Sequence, residues 1–411
     1  MAPSATETIV PIVEDIKQKV IPGNQKEAAQ GNQNVDSGAV GATDLEDDEL
    51  PKLETGHKEP LKLSGALDQF KQFDVTPVIG REFVDVDLAE WLRAPNSDEL
   101  IRDLAITVSQ RGVVFFRKQD NINNDLQKEL VQRLGELSGK PATSKLHIHP
   151  VINSGREDGD KDDEISTISS KQAKRLYSKS IVWSEKKQTQ RNQWHSDITF
   201  EPIPSDYALL RLTQLPKTGG ANPKYPDTLW ASGYELYDRI SKPVRGFLDT
   251  LTAYYAQPAF NETATRNNFN IFSGPRGAPE NIGEVLEAVH PVVRTNPVTG
   301  WKSVFAVGHH VKSIHGLSEH ESRSLLDWFT TLIVENHDLQ VRLRWESEND
   351  LAIWDNRSVY HAATPDYVNL GLGERSGSRA VSLGEKPYFD PVSKSRREAL
   401  AAEAGAAGRT T

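Results

Sequence analysis

The chain has 411 residues, a formal net charge of −10, no cysteine, and Met1 as its only methionine. An acidic excess argues against nucleic acid or an anionic membrane surface as the main partner, and no run of 18 apolar residues exists to cross a bilayer. Its 8 Trp, 10 Tyr and 13 Phe are enough to fill a substantial core. Glu7, Glu14 and Asp15 interrupt any basic-then-apolar leader, which leaves the cytoplasm as the expected compartment.

Residues 1–65 are rich in Gln, Asn, Gly, Glu and Asp and carry an acidic cluster from Asp44 to Glu49. They bury too little apolar surface to offset the entropy of ordering, so a disordered tail is expected there, with a short helix near 11–20. One domain is expected over 66–392 and a flexible tail over 393–411, with a frayed helix at 395–402. Ser97 is positioned to cap a helix whose Leu100, Ile101, Leu104, Ala105 and Val108 form one stripe, ended by Gly112. Residues 113–116 read as a buried strand, and Leu126, Leu130, Val131 and Leu134 mark a second amphipathic helix. An acidic run, 157–164, reads as a solvated loop; as the start of a segment leading to residue 193, it is also a candidate lid. Ser318 and Glu321 form a capping box for a helix that turns Leu325, Leu326, Phe329 and Ile333 inward. Runs rich in β-branched and aromatic residues recur at 207–213, 292–294, 303–307, 341–345 and 352–354. Many strands with a few covering helices predict a mainly β fold with flanking helices, a double-stranded β-helix of the jelly-roll, cupin-like kind.

The chemistry concentrates between Trp194 and Phe200. In an extended strand, side chains two apart share a face, so His195 and Asp197 can both reach one metal ion. His361 offers a third ligand, at the end of the short extended run that begins at Asp355. Two neutral imidazoles and a carboxylate make the facial triad of non-haem Fe(II) oxygenases, which leaves positions open for co-substrate and O2. A lone His-x-Asp is weak, and its company strengthens it. Arg375 lies 14 residues beyond His361 and can return to clamp a dianionic co-substrate bidentately. Thr228 adds a hydroxyl to share the same carboxylate. A solvated loop charge and an ordinary strand residue are the bland alternatives for these two, and the conjunction argues against both.

These residues and their surroundings resemble the taurine/sulfonate dioxygenase family. The likeness is carried by Trp194 to Phe200, by Gly219-Gly220 with Asp227-Thr228-Leu229-Trp230, by Trp354-Asp355-Asn356-Arg357 ahead of His361, and by Arg379 to Pro387. Upstream it continues through Leu146-His147-Ile148-His149-Pro150-Val151 and Gly112 to Arg117, so it spans about residues 75 to 390. The resemblance implies an Fe(II)- and 2-oxoglutarate-dependent dioxygenase using O2. His195, Asp197 and His361 take the metal positions, and Thr228 and Arg375 those that hold the distal carboxylate of 2-oxoglutarate. Arg379 and His149 match the anchors of a substrate sulfonate, and Ile198 is carried with them into the substrate pocket. The implied reaction hydroxylates the carbon bearing the sulfonate, and the adduct collapses to sulfite and an aldehyde, with succinate and CO2 as co-products. The partner is then a small anionic organic molecule, with self-association left open.

A chain almost free of sulfur suits an enzyme made when sulfur is scarce, although avoidance of oxidation near an iron site accounts for the same composition. Ile152, Arg191 and His310 stand where taurine dioxygenase has an aromatic hydroxyl, an asparagine and an aromatic wall. An apolar group and a cation in those places predict that an ammonium-bearing sulfonate such as taurine is disfavoured. A sulfate ester, a carboxylate or a secondary metabolite is the alternative substrate on the same chemistry. An inactive binding protein is the alternative of a different class, and the complete catalytic set counts against it.

Overall fold

Apolar alternation broken by turn residues divides the chain into short strands, and a computed structural model describes them over residues 50–152, 162–177, 189–216, 227–364 and 373–407. In chain order the strands are β1 (Gln72–Asp74), β2 (Arg81–Phe83), β3 (Val113–Phe116), β4 (Ile165–Ser169), β5 (Ser205–Gln214), β6 (Asp227–Ser232), β7 (Thr252–Ala256), β8 (Glu287–Pro291), β9 (Val293–Thr295), β10 (Lys302–Val304), β11 (Val311–Ile314), β12 (Gln340–Arg344), β13 (Leu351–Asp355), β14 (Val359–Ala363) and β15 (Ser376–Leu383). The major sheet runs β1-β2-β3-β13-β5-β15-β4. All its pairs are antiparallel except β2 with β3. A second sheet, β12-β6-β14, faces it, and β11-β7-β8 and β10-β9 complete the strands.

Strand periodicity explains why the two sheets close on one another. Along β13, Ala352 and Trp354 point inward with Leu210 and Val381, meeting Trp230, Leu343, Trp345 and Val359 from the second sheet. Leu351 and Ile353 point the other way, onto Leu104, Val108, Leu130 and Leu134 of the helices Ser97–Arg111 and Asn124–Leu137. Two facing sheets with a shared apolar interior form a jelly-roll-like core. Helices cover the outer face of the major sheet, and others, such as Gly233–Arg239 and Glu319–Glu335, join the strands, so the fold is mixed α and β rather than mainly β.

Local details depart from the sequence reading where a neighbour supplies the missing partner. Asn96 rather than Ser97 is the N-cap of the first long helix, without a side-chain bond, while Ser318 and Glu321 do form the reciprocal box. The strand expected over 303–307 ends at Val304, just ahead of the sharp turn at Gly308, whose φ is 100°. The boundary expected at 65 falls inside bound chain. Gly56 donates to the Phe389 carbonyl at 3.2 Å and Leu61 to that of Val298 at 2.9 Å, and the N–H groups of Ser64, Gly65 and Ala66 converge on the buried Asp103 carboxylate. At the other end, the helix expected at 395–402 runs over Arg396–Ala407, and its Arg396 and Arg397 reach Glu235 at 2.8 and 2.7 Å. Residues 1–49, with the helix expected near 11–20, lie outside the described residues, as do 153–161 and 178–188 of the candidate lid. Between those last two stretches, β4 pairs with β15 at the edge of the major sheet.

Candidate metal and co-substrate site

His195 and His361 are held together by their backbones. Each donates its N–H to the other's carbonyl, at 3.2 and 2.8 Å, in an isolated antiparallel bridge. Residues paired in this way project to the same side, and the two rings lie 4.4 Å apart. The extended run expected through Phe200 is limited to that bridge, because a turn begins at Asp197. Two bonds draw the turn in: the Asp197 N–H donates to Asn356 Oδ1 at 3.1 Å and the Ser196 hydroxyl to the Val359 carbonyl at 2.6 Å. The next residue, Ile198, is buried at φ 63°, a conformation that costs a β-branched side chain about 1–3 kcal/mol. Gly308 packs beneath His195, where a Cβ would lie 2.9 Å from the Cα and Cβ of His195 and from the Trp194 carbonyl.

The three side chains meet as metal ligands should. The His195 Nδ1–H donates to the Gln193 carbonyl at 2.7 Å, which leaves the Nε2 lone pair free to ligate. Nε2 of His195 and Nε2 of His361 each lie 3.9 Å from Asp197 Oδ1, and one donor atom from each of the three residues falls within 4.8 Å of the others. Burial pushes His361 down to about 3, so it is a neutral donor. Burial opposes ionisation of Asp197, but Arg379, His361 and His195 outweigh it and hold the carboxyl below its ordinary range. Asp197 Oδ2 is buried without a hydrogen-bond partner among the described residues. An orphaned carboxylate oxygen beside two imidazole lone pairs fits a divalent ion on a two-histidine, one-carboxylate face.

Arg379 lies on β15, whose Val381 and Leu383 enter the inner core, and Arg375 immediately precedes that strand. Arg379 Nη1 donates to Asp197 Oδ1 at 2.8 Å, while its Nε is buried without a partner among the described residues. Arg375 Nη2 donates to Thr228 Oγ1 at 3.3 Å. Thr228 reaches this point because β6 pairs with β14 in the register that sets it opposite Ala363. Trp345 joins them: its Nε1–H donates to Thr228 Oγ1 at 3.0 Å, and the Arg375 guanidinium lies 5.9 Å over its ring.

On the remaining side, His149 Nδ1 accepts the N–H groups of Val151 and Ile152 at 3.1 and 3.0 Å, so its proton sits on Nε2. Burial holds this ring neutral, well below its ordinary pKa. Its centroid is 5.0 Å from Phe260, which packs with Ile198 and Phe200. Ile152 follows directly, with its carbonyl bonded to Gln172 at 2.8 Å. His310 closes the wall, 5.1 Å from Phe200 and bonded through Nδ1 to Thr199 at 2.9 Å, and the His309 ring lies 5.0 Å from His195. Arg191 does not join this wall. Its guanidinium donates to the Asp327 carbonyl and the Thr331 hydroxyl, both at 2.9 Å, on the helix Glu319–Glu335.

Three residues at the site had no role assigned from sequence: Asn356, Gly308 and Trp345. Asn356 lies inside a run already noted ahead of His361, and Gly308 directly precedes the two histidines of the wall. Trp345 gives no sequence signal beyond closing a strand-like stretch.

Residues 71–380 match the family described as taurine catabolism dioxygenase TauD, TfdA family. The alpha-ketoglutarate-dependent dioxygenase btcD of Neocamarosporium betae is 55% identical, over 83% of this chain and 98% of its own length. The alpha-ketoglutarate-dependent sulfonate dioxygenase of Saccharomyces cerevisiae is 30% identical, over 78% of this chain and 69% of its own. Among solved structures, a taurine dioxygenase from Burkholderia xenovorans shares the fold, with a TM-score of 0.55 and 24% identity over 77% of this chain and 90% of that one.

Proposed function

From a chain that belongs to the TauD/TfdA family and is an alpha-ketoglutarate-dependent dioxygenase, we propose an oxygenase that hydroxylates a C–H bond in a small organic molecule with an apolar body and an anionic head, a carboxylate or secondary metabolite rather than a sulfonate. The family and the His-Asp-His set imply Fe(II) and 2-oxoglutarate. His195, Asp197 and His361 would hold the iron, which when bound supplies the O2 chemistry that couples decarboxylation of 2-oxoglutarate to hydroxylation. Thr228 and Arg375 seat the distal carboxylate of the co-substrate. Arg379 offers its buried Nε–H and His149 its Nε2–H to the substrate's head, and both are donors. Ile198, Phe200 and Phe260, with Ile152 at the margin, exclude water and orient the body.

The observation that carries the substrate reading is the gradient of likeness. A relative named only as an alpha-ketoglutarate-dependent dioxygenase is 55% identical over nearly all its length, whereas two named for sulfonates are 31% and 30% identical. The sulfonate expected from sequence therefore stands second. Among the described residues, the wall formed by His149, His310 and Phe260 is neutral.

The test is aerobic turnover with Fe(II), 2-oxoglutarate and three panels: apolar carboxylic acids, alkyl sulfonates including taurine, and alkyl sulfates. Succinate formed in step with a hydroxylated carboxylic acid is the expected result. Sulfite release at a higher kcat/KM would restore the sulfonate reading, and sulfate release would favour the ester.

A further inference from the structure

We propose that Trp345 is a positioning residue for the co-substrate, fixing the Thr228 hydroxyl as a hydrogen-bond donor to the distal carboxylate of 2-oxoglutarate. The inference rests on the reading of Thr228 and Arg375 as that carboxylate's seat. A threonine hydroxyl has one proton to give and two lone pairs to receive. Trp345 Nε1 and Arg375 Nη2 both lie against Thr228 Oγ1, at 3.0 and 3.3 Å. Indole and guanidinium nitrogens donate only, so both lone pairs of Oγ1 are taken. The Thr228 proton must then point away from these two groups, and among the described residues it is given no acceptor.

The lock comes from the strand register. Leu343 on β12 pairs with Thr228 on β6, and Trp345 lies two residues further along the same face, inside the core that contains Val341 and Leu343. Trp345 is completely buried, so its indole has no solvent alternative to Thr228. The same ring lies under the Arg375 guanidinium at 5.9 Å, which lets one side chain set the direction of both groups that meet the carboxylate. A seat whose hydroxyl can only donate accepts an ionised oxygen and gains nothing from a methyl group in its place.

The experiment measures anaerobic binding of 2-oxoglutarate and of 2-oxopentanoate, its analogue with a methyl in place of the distal carboxylate, to the Fe(II) protein by calorimetry. Thr228→Val is expected to weaken 2-oxoglutarate about tenfold or more, as loss of a hydrogen bond to a charged group does. Trp345→Phe keeps a ring under Arg375 but removes the N–H, and is expected to weaken 2-oxoglutarate about fivefold while leaving 2-oxopentanoate unchanged. Added to Thr228→Val, it should have no further effect. Trp345→Leu, which also lacks the N–H, is the second variant if Phe does not fold. The ratio of the two ligands is internal to each preparation and is insensitive to a partly unfolded fraction. Equal losses for both ligands, or a loss that adds to that of Thr228→Val, would overturn the inference. If Thr228→Val and Arg375→Ala both leave 2-oxoglutarate binding intact, the seat itself is misassigned.

Discussion

Two buried aspartate–arginine pairs lie within this barrel, and they are built to opposite ends. In the first, Asp355 receives the Arg357 guanidinium through Nε and Nη2, both at 2.8 Å, and also the Arg357 N–H, the Ser109 hydroxyl and the Asn296 amide. In the second, Asp197 receives one guanidinium N–H from Arg379, while Asp197 Oδ2 and Arg379 Nε are buried and without a partner among the described residues. Burial is comparable, with both aspartates at 5% exposure or less. A fully bonded pair rigidifies the end of the central strand β13, which leads through a turn to β14 and His361. A half-bonded pair leaves Asp197 Oδ2 and Arg379 Nε free of partners among the described residues, where the proposed function places an ion and an anion. In a folded protein, unsatisfied buried polar groups point to function more sharply than satisfied ones do.

The largest expected effect tests that contrast directly. Asp355→Asn would put an N–H among the donors of Ser109, Asn296 and Arg357 and remove the charge that compensates a buried guanidinium, at a cost of about 3–5 kcal/mol of stability. Asp197→Asn disturbs one bond in iron-free protein and should cost no more than about half as much, while abolishing Fe(II) binding. Urea denaturation and metal titration of both variants check this. Equal stability losses would break the comparison, and wild-type iron affinity in the Asp197 variant would remove Asp197 from the metal site.

Gly308 sharpens it next. A Cβ there meets three atoms of the His195 region at 2.9 Å and sits on backbone at φ 100°, so an L side chain is both crowded and strained. Gly308→Ala is expected to cost about 1–3 kcal/mol and to weaken Fe(II) binding at least tenfold by displacing His195. Unchanged iron affinity in calorimetry would show that His195 tolerates displacement.

A smaller effect belongs to a buried histidine outside both pairs. His290 is buried, with Nε2–H donating to the carbonyls of Thr199 and Glu201 at 3.0 and 3.1 Å. Burial, then Arg294, push it down to about 3, against about 6.5 in an unfolded chain. Between those values only the unfolded state takes up the proton. The stability is therefore intact above pH 6.5 and falls as the pH drops toward 3, by up to about 1.4 kcal/mol per pH unit for this group. His290→Gln keeps a donor without the titration and should flatten the profile of iron-free protein between about pH 6 and 4. An unchanged slope would assign the acid sensitivity to other groups.

The same contrast explains what could be read from sequence. His195, Asp197, His361, Thr228 and Arg375 could be singled out because the expected chemistry demands those residue types, and the structure groups the first three and joins Arg375 to Thr228. Helix stripes and strand alternation were legible because burial imposes their periods. The Asp197 turn was not, because it is imposed by Asn356 and Val359, more than a hundred residues away, and it overrides the extended preference of the local run. Trp345 was invisible for the same reason: its importance is a bond across two strands. The tethering of 50–65 was hidden because a polar segment that cannot bury itself can still be held by backbone hydrogen bonds to a domain already folded.

The smallest expected effect concerns Arg191, the cation that sequence set in the substrate pocket. Its side chain is 37% exposed and its guanidinium is engaged by the helix Glu319–Glu335. A charge held there, partly in water, is screened and contributes little to discrimination inside the barrel. Arg191→Asn is therefore expected to change stability by no more than about 0.5 kcal/mol and to leave the preference between an ammonium-bearing and an uncharged substrate of equal length unaltered. Ile152→Tyr should move that preference instead, because residue 152 follows His149 on the turn whose N–H groups hold the imidazole. A competition assay with the two substrates in one vessel reads both variants. A shift toward the ammonium in Arg191→Asn alone would return this arginine to the pocket and mean that the helix holds it only until substrate arrives.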